Sequence, residues 1–150
     1  MMYIDFLIKV FEENKDNNAI VWGNRFFSYK WLLERYKYWT SELKKNKINK
    51  GSVVIVEADF SPNSVALLLA LISHRCVFVP ITKSVLSKRD EFIEIAQGEI
   101  LFSIDKKDEV SISKLPYKPN NELYKSLKKA RHPGLVLFSS GSTGKSKGSL

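Results

Sequence analysis

Apolar and polar positions alternate along the chain with two periods, one typical of amphipathic helices and the other of strands. Residues 2–14 carry apolar side chains at helical spacing and predict a first helix. Residues 19–22 and 25–28 predict the two strands of a small hairpin. Ser28 is then the expected N-cap of a longer helix. The buried stripe of that helix is predicted to consist of Leu32, Tyr36, Trp39 and Leu43.

Four short, mostly apolar runs in the rest of the chain indicate strands, and the continuous run at 53–56 is typical of a strand buried on both faces of a sheet. The four runs cover residues 53–56, 77–79, 100–104 and 135–138. We expect Pro80 to end the second of these strands. Because helical segments separate the runs, the predicted fold class is α/β, a mostly parallel, doubly wound sheet flanked by helices. In such sheets ligands bind beyond the carboxyl ends of the strands.

The helices expected between these strands are marked by their ends. They cover residues 62–73, 88–96 and 122–129. Ser61 is the expected N-cap of the first, and Ser87 is expected to open the second through a capping box. Gly98 stands just past the end of the second helix, as a terminating glycine would. The remainder of the polar stretch 105–133 predicts no further element.

Composition bounds the class of protein. A chain of 150 residues has the length of one ordinary domain. The longest apolar run, residues 65–72, falls short of the roughly 20 residues that a membrane span requires. The amino terminus lacks the positive charges of a signal peptide, and the lone Cys76 has no disulfide partner. We therefore expect a cytoplasmic protein with no membrane partner.

The formal net charge of +8 admits a function in binding polyanions. The basic clusters at residues 44–47 and 128–131 coincide with expected helix ends, where cations interact favourably with the helix dipole. We therefore interpret them as solvated helix termini. A basic nucleic-acid-binding domain remains a third hypothesis, although the chain lacks the interleaved aromatic residues of a stacking surface. No nucleic-acid partner is expected.

A glycine-rich, lysine-bearing loop at residues 139–148 carries the chemistry. Three of the seven glycines fall within residues 141–148, where they allow backbone N–H groups to turn toward one point. Serine and threonine hydroxyls add donors, and Lys145 and Lys147 add positive charge. The combination suits the β- and γ-phosphates of a nucleotide. A Walker A loop would require glycine at position 139, which is serine, so that interpretation fails.

The loop resembles the signature loop of the adenylate-forming enzymes, which include acyl-CoA synthetases, adenylation domains of peptide synthetases and luciferases. The family pattern is Ser/Thr-Ser/Thr-Gly-Ser/Thr-Thr-Gly-x-Pro-Lys-Gly, and this chain departs from it only at Ser146, where proline is usual. That departure is expected to loosen the loop, since proline would fix φ there. Weaker similarities in the order of upstream elements extend the resemblance over essentially all 150 residues.

The resemblance implies an enzyme that uses ATP and Mg²⁺ to convert a small carboxylic acid to its acyl-adenylate with release of pyrophosphate. The acyl group then commonly passes to a thiol acceptor, coenzyme A or a carrier protein. By resemblance, the nucleotide-binding residues are Ser139, Ser140, Gly141, Ser142, Thr143, Gly144, Lys145, Ser146, Lys147 and Gly148. No catalytic residue and no metal ligand of the family falls within the chain, because those motifs come later in family members.

Residues 1–150 therefore correspond to the N-terminal part of the family's large AMP-binding domain. We expect no adenylating activity from this chain alone, self-association through exposed apolar faces, and no following strand to brace the loop. The alternative is a stand-alone, non-catalytic module that binds nucleotide or phosphate. Continuation of the reading frame past Leu150 would favour the enzyme, and a stop there would favour the module.

A few other polar residues are expected to be structural. We interpret His74 and His132 as structural residues because no partnering nucleophile or third ligand accompanies them. Cys76 is expected to be a core residue. Acid pairs such as Asp90 and Glu91 are expected to be solvated.

Overall fold

The computed structural model describes residues 3–140 and 145–150. Its helices are α1 Asp5–Glu13, α2 Tyr29–Lys45, α3 Pro62–Ser73, α4 Arg89–Ala96 and α5 Glu122–Ala130, with a 3₁₀ segment at Lys83–Lys88. Its strands are β1 Asn18–Trp22, β2 Arg25–Ser28, β3 Val53–Glu57, β4 Val77–Ile81, β5 Ile100–Ile104, β6 Val110–Lys114, β7 Gly134–Leu135, β8 Leu137–Ser140 and β9 Ser146–Ser149. None of the helices in this part of the chain combines the length and apolar character that crossing a bilayer requires.

The central sheet has the strand order β6-β5-β3-β4-β7. Strands β5, β3, β4 and β7 run parallel, and β6 pairs antiparallel with β5 at the edge. The predicted fold class is therefore confirmed, with one antiparallel edge strand added to the parallel sheet.

Two hydrophobic cores cover the two faces of this sheet. Alternate residues of β3 divide between them: Val54 and Val56 join the first core, whereas Val53 and Ile55 join the second. The first core is completed by side chains of α1, α2 and α3, and the second by side chains of α4 and α5. Helices on both faces explain why the strands of the sheet read as continuous apolar runs rather than alternating ones.

The amino-terminal elements form as the periodicity predicts. Strands β1 and β2 pair antiparallel around a turn in which Gly23 and Asn24 both have positive φ, 56° and 61°. This conformation matches the right-handed twist of a hairpin and favours Gly and Asn. The Ser28 side chain accepts a hydrogen bond from Trp31 N at 3.1 Å, and the predicted stripe of α2 is buried.

Strand β4 continues through Pro80 to Ile81, so the expectation that Pro80 ends it is wrong. Val77 N donates to Ser52 O on the β3 side of the strand, whereas Phe78 O accepts from Val136 N on the β7 side. Pro80 lies two residues after Phe78, so its nitrogen points to the same side of β4, toward β7. The pairing of β4 with β7 ends at Phe78 and Leu135, before Pro80 is reached. A missing N–H there removes no ladder hydrogen bond.

The end signals around α4 differ from those expected. The 3₁₀ segment runs directly into α4, whose N-cap is Lys88 without a side-chain cap, so the Ser87 capping box is wrong. At the other end, Gln97 adopts the left-handed conformation, with φ of 55°. Gly98 follows it without positive φ and lies instead against Ile55. The glycine is needed there for close approach, not for a left-handed turn.

The carboxyl-terminal segment contains more strands than the pattern predicts. The expected strand 135–138 divides at Val136: β7 pairs with β4, whereas β8 leaves the sheet and pairs antiparallel with β9. The expectation of no bracing strand after the loop is therefore wrong. Strand β6 is also an addition, in the stretch 105–133 for which only a helix was predicted.

Candidate phosphate-binding site

The glycine-rich loop joins the two strands of a hairpin. Ser139 stands opposite Lys147 and Ser140 opposite Ser146, so β8 and β9 hold the two ends of the loop together. The hairpin follows β7 on the carboxyl side of the sheet, where ligands of doubly wound folds bind. A strand follows the loop, whereas a Walker A loop opens a helix. This agrees with the exclusion of a Walker A loop on the basis of the serine at position 139.

The described part of the loop presents hydroxyl and ammonium groups to solvent. Ser139, Lys145 and Lys147 are exposed. Because Ser139 and Lys147 are cross-strand partners, their side chains share one face of the hairpin. The predicted site residues Gly141, Ser142, Thr143 and Gly144 lie outside the described residues, as does the side chain of Ser140. Their assignment stays a prediction.

Helix α4 supports the opposite face of the hairpin. The Phe138 ring on β8 stacks on Phe92 of α4, with ring centroids 4.2 Å apart and planes 8° from parallel. A Cβ at Gly148 would lie 3.4 Å from Ile95 of the same helix, at ordinary contact distance. The hairpin therefore packs on a helix, which fixes the ends of the loop without using its exposed cations.

A hydrogen bond from the hairpin to α4 was not expected from the sequence. Ser146 N donates to the Glu91 carboxylate at 3.3 Å, and Ser146 is buried. Asp90 and Glu91 are both exposed, as expected for a solvated acid pair, with the side chain of Asp90 95% exposed. Glu91 in addition accepts this hydrogen bond from β9. A single sequence contains no signal for this contact, because 55 residues separate its partners.

The amino end of α4 is itself fastened to the central sheet. The Arg89 guanidinium donates to the Glu57 carboxylate at the end of β3, and Ser103 Oγ donates to the same carboxylate at 3.1 Å. The hydrogen bond that Arg89 donates to Glu57 raises the pKa of Arg89 above its usual value, so the guanidinium remains charged. Glu57 could have been singled out from sequence as an acid directly following a buried strand.

The remaining candidate groups lie away from the hairpin. His74 is buried and its Nε2 lies 2.7 Å from Ile48 O, consistent with a structural role. Cys76 is 1% exposed, and burial raises its pKa to about 12. Within residues 3–140 and 145–150, no cluster of three or more His, Cys, Asp or Glu side chains is arranged to hold a metal ion. The described groups of the loop, hydroxyls and ammonium ions, are donors suited to phosphate and are not Mg²⁺ ligands of the usual carboxylate kind.

Solved structures with a similar fold align with nearly the whole chain. The Klebsiella oxytoca NpsA N-terminal subdomain, solved in complex with 3-hydroxyanthranilyl-AMSN, is 23% identical with a TM-score of 0.74. That alignment covers 98% of this chain and 39% of the NpsA chain. VinN, solved with L-aspartate, is 17% identical with a TM-score of 0.73, over 99% of this chain and 47% of VinN.

A third similar structure contains more than one domain. NpsA-ThdA, an artificially fused adenylation–PCP di-domain from Klebsiella oxytoca, is 20% identical with a TM-score of 0.69, over 93% of this chain and 28% of that one. The chain thus spans less than half the length of each of these three structures. No protein-family model matches the sequence, and no curated protein matches it either. The chain has the α/β fold of the N-terminal subdomain of adenylation domains, as its resemblance to the adenylate-forming enzymes implies.

Proposed function

We propose that this chain is the N-terminal part, residues 1–150, of the large domain of an ATP-dependent ligase that activates a carboxylic acid as its adenylate. The observation that carries the proposal is a signature loop matching nine of ten family positions, set between two paired strands on the fold of an adenylation subdomain. The loop would hold the β- and γ-phosphates of ATP. Its lysines and N–H groups would stabilise the charge that develops on pyrophosphate as it leaves.

Mg²⁺ belongs to the proposal through the nucleotide. It would neutralise phosphate charge, while Lys145 and Lys147 supply the protein's contribution from the described part of the loop. The carboxylate substrate is supported by VinN, which is solved with L-aspartate, a carboxylic acid. A carrier protein as thiol acceptor is supported by the fused adenylation–PCP di-domain, and coenzyme A is the other acceptor of the family. A cytoplasmic location stays a prediction.

The first test is nucleotide binding to this chain. ATP with excess Mg²⁺ is titrated by calorimetry into the wild type and into Lys145→Ala and Lys147→Ala, with Lys9→Ala as control. Lys9 is an exposed lysine on α1. Loss of one charge-assisted contact is expected to weaken binding about tenfold, whereas the control leaves it unchanged. Equal affinities in all four proteins, or no binding by the wild type, would refute the role assigned to the loop.

The second test separates the enzyme from the alternative, a stand-alone phosphate-binding module. Carboxylate-dependent exchange of pyrophosphate into ATP is expected to stay at background for this chain, because the family's carboxylate pocket and catalytic lysine come from later segments. Exchange by this chain alone would contradict that expectation. A transcript whose reading frame continues past Leu150 into those segments supports the ligase, and a stop codon there supports the module.

The expected self-association remains part of the proposal. Exposed apolar side chains surround the hairpin and the neighbouring helices, among them Ile95, Leu123, Leu135, Leu137 and Leu150. In the proposed ligase, we expect segments that follow this part of the chain to cover these side chains. We propose that these side chains drive association of this chain, and sedimentation as a monomer at high concentration would refute it.

A further inference from the structure

Two adjoining hollows lie at the amino ends of the parallel strands. Their volumes are about 190 and 440 Å³, and both are lined by Lys50, Arg75 and Arg131. These residues precede β3, β4 and β7, so the hollows lie at the amino ends of the strands, whereas the β8–β9 hairpin extends from the carboxyl ends. A five-residue strand separates the two ends by about 15 Å. We call this region the basic cleft, after its cations Lys44, Lys50, Arg75, Lys128 and Arg131.

The fold brings together cations that the sequence distributes over separate segments. Lys44 is in the last turn of α2, Arg75 follows α3, and Lys128 and Arg131 are at the end of α5. Basic clusters at helix ends are stabilised by the helix dipole, which places about half a negative charge at each carboxyl end. Three helix ends therefore supply about one and a half negative charges, against the five full positive charges of the basic cleft. The dipoles leave most of the positive charge uncompensated.

Acidic side chains do not supply the missing balance. None of the ion pairs formed within the described part of the chain includes a cation of the basic cleft. Neither hollow has an acidic residue among its described lining. Glu99 lines a neighbouring hollow with Lys128, and its carboxylate also accepts a hydrogen bond from Val53 N at 2.8 Å. Its single negative charge leaves most of the positive charge of the basic cleft uncompensated. The cleft is thus a concave, positively charged surface.

The two arginines occupy backbone positions that favour glycine. Arg75 and Arg131 have φ of 58° and 55°, in the left-handed region that is disfavoured for residues with a Cβ. Their backbones are held in place: Arg75 O accepts from Gly51 N at 2.9 Å, and Arg131 O accepts from Tyr3 Oη at 3.2 Å. Lys47 and Gln97 have the same conformation after α2 and α4, so a non-glycine residue in this turn is common to the helix ends of this chain. What distinguishes Arg75 and Arg131 is that both line both hollows.

The shape of the basic cleft selects the class of anion. The larger hollow falls within the range typical of small-molecule sites. Thr40 and Tyr3 line it, but their hydroxyl protons are donated to Tyr36 O and Arg131 O, so the cations of the cleft are the donors for an anion. Tyr3 makes an edge contact with His132, with ring centroids 4.7 Å apart. We propose that the basic cleft binds a small polyphosphate, either a nucleoside di- or triphosphate or its inorganic counterpart, at a site separate from the glycine-rich loop.

The test follows the side chains of the basic cleft directly. Inorganic tripolyphosphate is titrated into ¹⁵N-labelled protein, and the Nε–Hε signals of Arg75 and Arg131 are recorded together with the amide signal of Gly51. Saturable shifts of these three signals are expected. A parallel titration with ATP distinguishes the sources: tighter binding of ATP assigns a nucleotide, and equal or weaker binding assigns an inorganic polyphosphate. Absence of saturable shifts at these signals would overturn the proposal.

Glycine variants separate binding from folding. Arg75→Gly and Arg131→Gly each remove a cation while supplying the residue that the left-handed backbone prefers, so the melting temperature is expected to be retained or raised. Binding of tripolyphosphate at the basic cleft should weaken about tenfold in each. Lys47→Gly is the matched control, because Lys47 also has positive φ, 56°, and carries one charge but lines neither hollow.

Three results with the variants would also overturn the proposal. One is unchanged binding in both arginine variants, and another is an equal loss in Lys47→Gly, which would indicate general charge attraction. The third is loss of the arginine shifts in a Lys145→Ala and Lys147→Ala double variant, which would assign the anion to the loop. Binding of duplex DNA or an acidic peptide in place of tripolyphosphate would likewise replace the small-ligand assignment.

Discussion

Gly98 lies where the chain passes from α4 to β5, against the side chain of Ile55 in the middle of the sheet. A Cβ added at Gly98 would be 2.4 Å from Ile55 Cγ1 and 2.7 Å from Ile55 Cδ1, distances at which an atom must move. Ile55 is completely buried, with Val79 and Leu101 as its neighbours in the adjacent strands. Gly98→Ala therefore forces a methyl group into a close-packed core without asking for an unfavourable backbone conformation.

The size of the effect follows from two opposing contributions. Overpacking a well-packed core destabilises by about 1–3 kcal/mol. Replacing glycine by alanine also lowers the entropy of the unfolded chain, which returns about 0.4–1 kcal/mol. We expect Gly98→Ala to lower the free energy of unfolding by about 1–2 kcal/mol. Ile55→Ala alone should lower it by about 2–5 kcal/mol through the cavity it leaves.

A double-mutant cycle isolates the contact between the two side chains. Ile55→Ala removes both atoms that the new methyl would meet, so Gly98→Ala should be neutral or stabilising in that background, with a coupling of about 1–3 kcal/mol. Ile55→Val is the matched control: it removes Cδ1 but keeps a γ carbon at the closest contact, so it should relieve little. The coupling is thus expected from alanine and not from valine at position 55.

The assay is urea unfolding followed by circular dichroism, repeated at several protein concentrations so that association does not bias the midpoint. An unchanged free energy of unfolding for Gly98→Ala would refute the steric argument. The same loss in the wild-type and Ile55→Ala backgrounds would also refute it, because the penalty would then arise from the backbone and not from Ile55. A coupling as large with valine as with alanine would assign the strain to Cδ1 alone.

Two further predictions concern buried polar groups. Trp39 Nε1 donates to Asn63 Oδ1 at 3.0 Å, so Asn63→Ala leaves this donor without its acceptor and should lower the free energy of unfolding by about 1–3 kcal/mol in the same assay; no measurable loss would contradict it. The pKa of Cys76 rises from an ordinary value near 9 to about 12 on folding, so the unfolded chain loses the proton first. The contribution of the protonated Cys76 thiol to the free energy of unfolding is complete below pH 9 and falls as pH rises from 9 to 12, by at most about 1.4 kcal/mol per pH unit. Cys76→Ala should therefore reduce the slope of the free energy of unfolding against pH in this range. An identical slope in the two proteins would contradict the argument.

Local patterns predicted the elements whose stability is local. The β1–β2 hairpin was predicted from two apolar runs flanking Gly23 and Asn24, and α2 from its N-cap and apolar stripe. Each depends on residues within a few positions of one another, so a single sequence contains the necessary information. The parallel sheet also followed, because strands covered on both faces require continuous apolar runs.

The errors arose where the outcome depends on partners distant in sequence. Pro80 is compatible with a strand only because its nitrogen faces a side without a ladder partner, which depends on where β7 ends. Strand β6 alternates weakly, with no residue fully buried, and forms because β5 offers it an edge. Gly98 resembles a helix-ending glycine, but its role is set by Ile55, 43 positions earlier in the chain.

The candidate site shows the same division. The residue types of the loop identify a phosphate-binding motif because that chemistry resides in ten consecutive positions. The supports of the loop come from elsewhere: Phe92 and Glu91 on α4 contact the hairpin, and Glu57 on β3 fastens the start of α4 through Arg89. These groups converge only through the fold, so sequence reasoning could name the loop but not what holds it.

The serine that replaces the family's usual proline bears on how the loop is held. Proline would fix φ at this position but would have no N–H to donate. Ser146 N donates to Glu91, its side chain is buried, and its backbone stands opposite Ser140 in the ladder. Contacts with α4 and β8 thus restrain the residue that a ring would otherwise restrain. The expectation of a looser loop stays a prediction, because residues 141–144 lie outside the described part of the chain. Since Lys145 and Lys147 on either side stay exposed, this restraint does not use the charges that the proposed phosphate site requires.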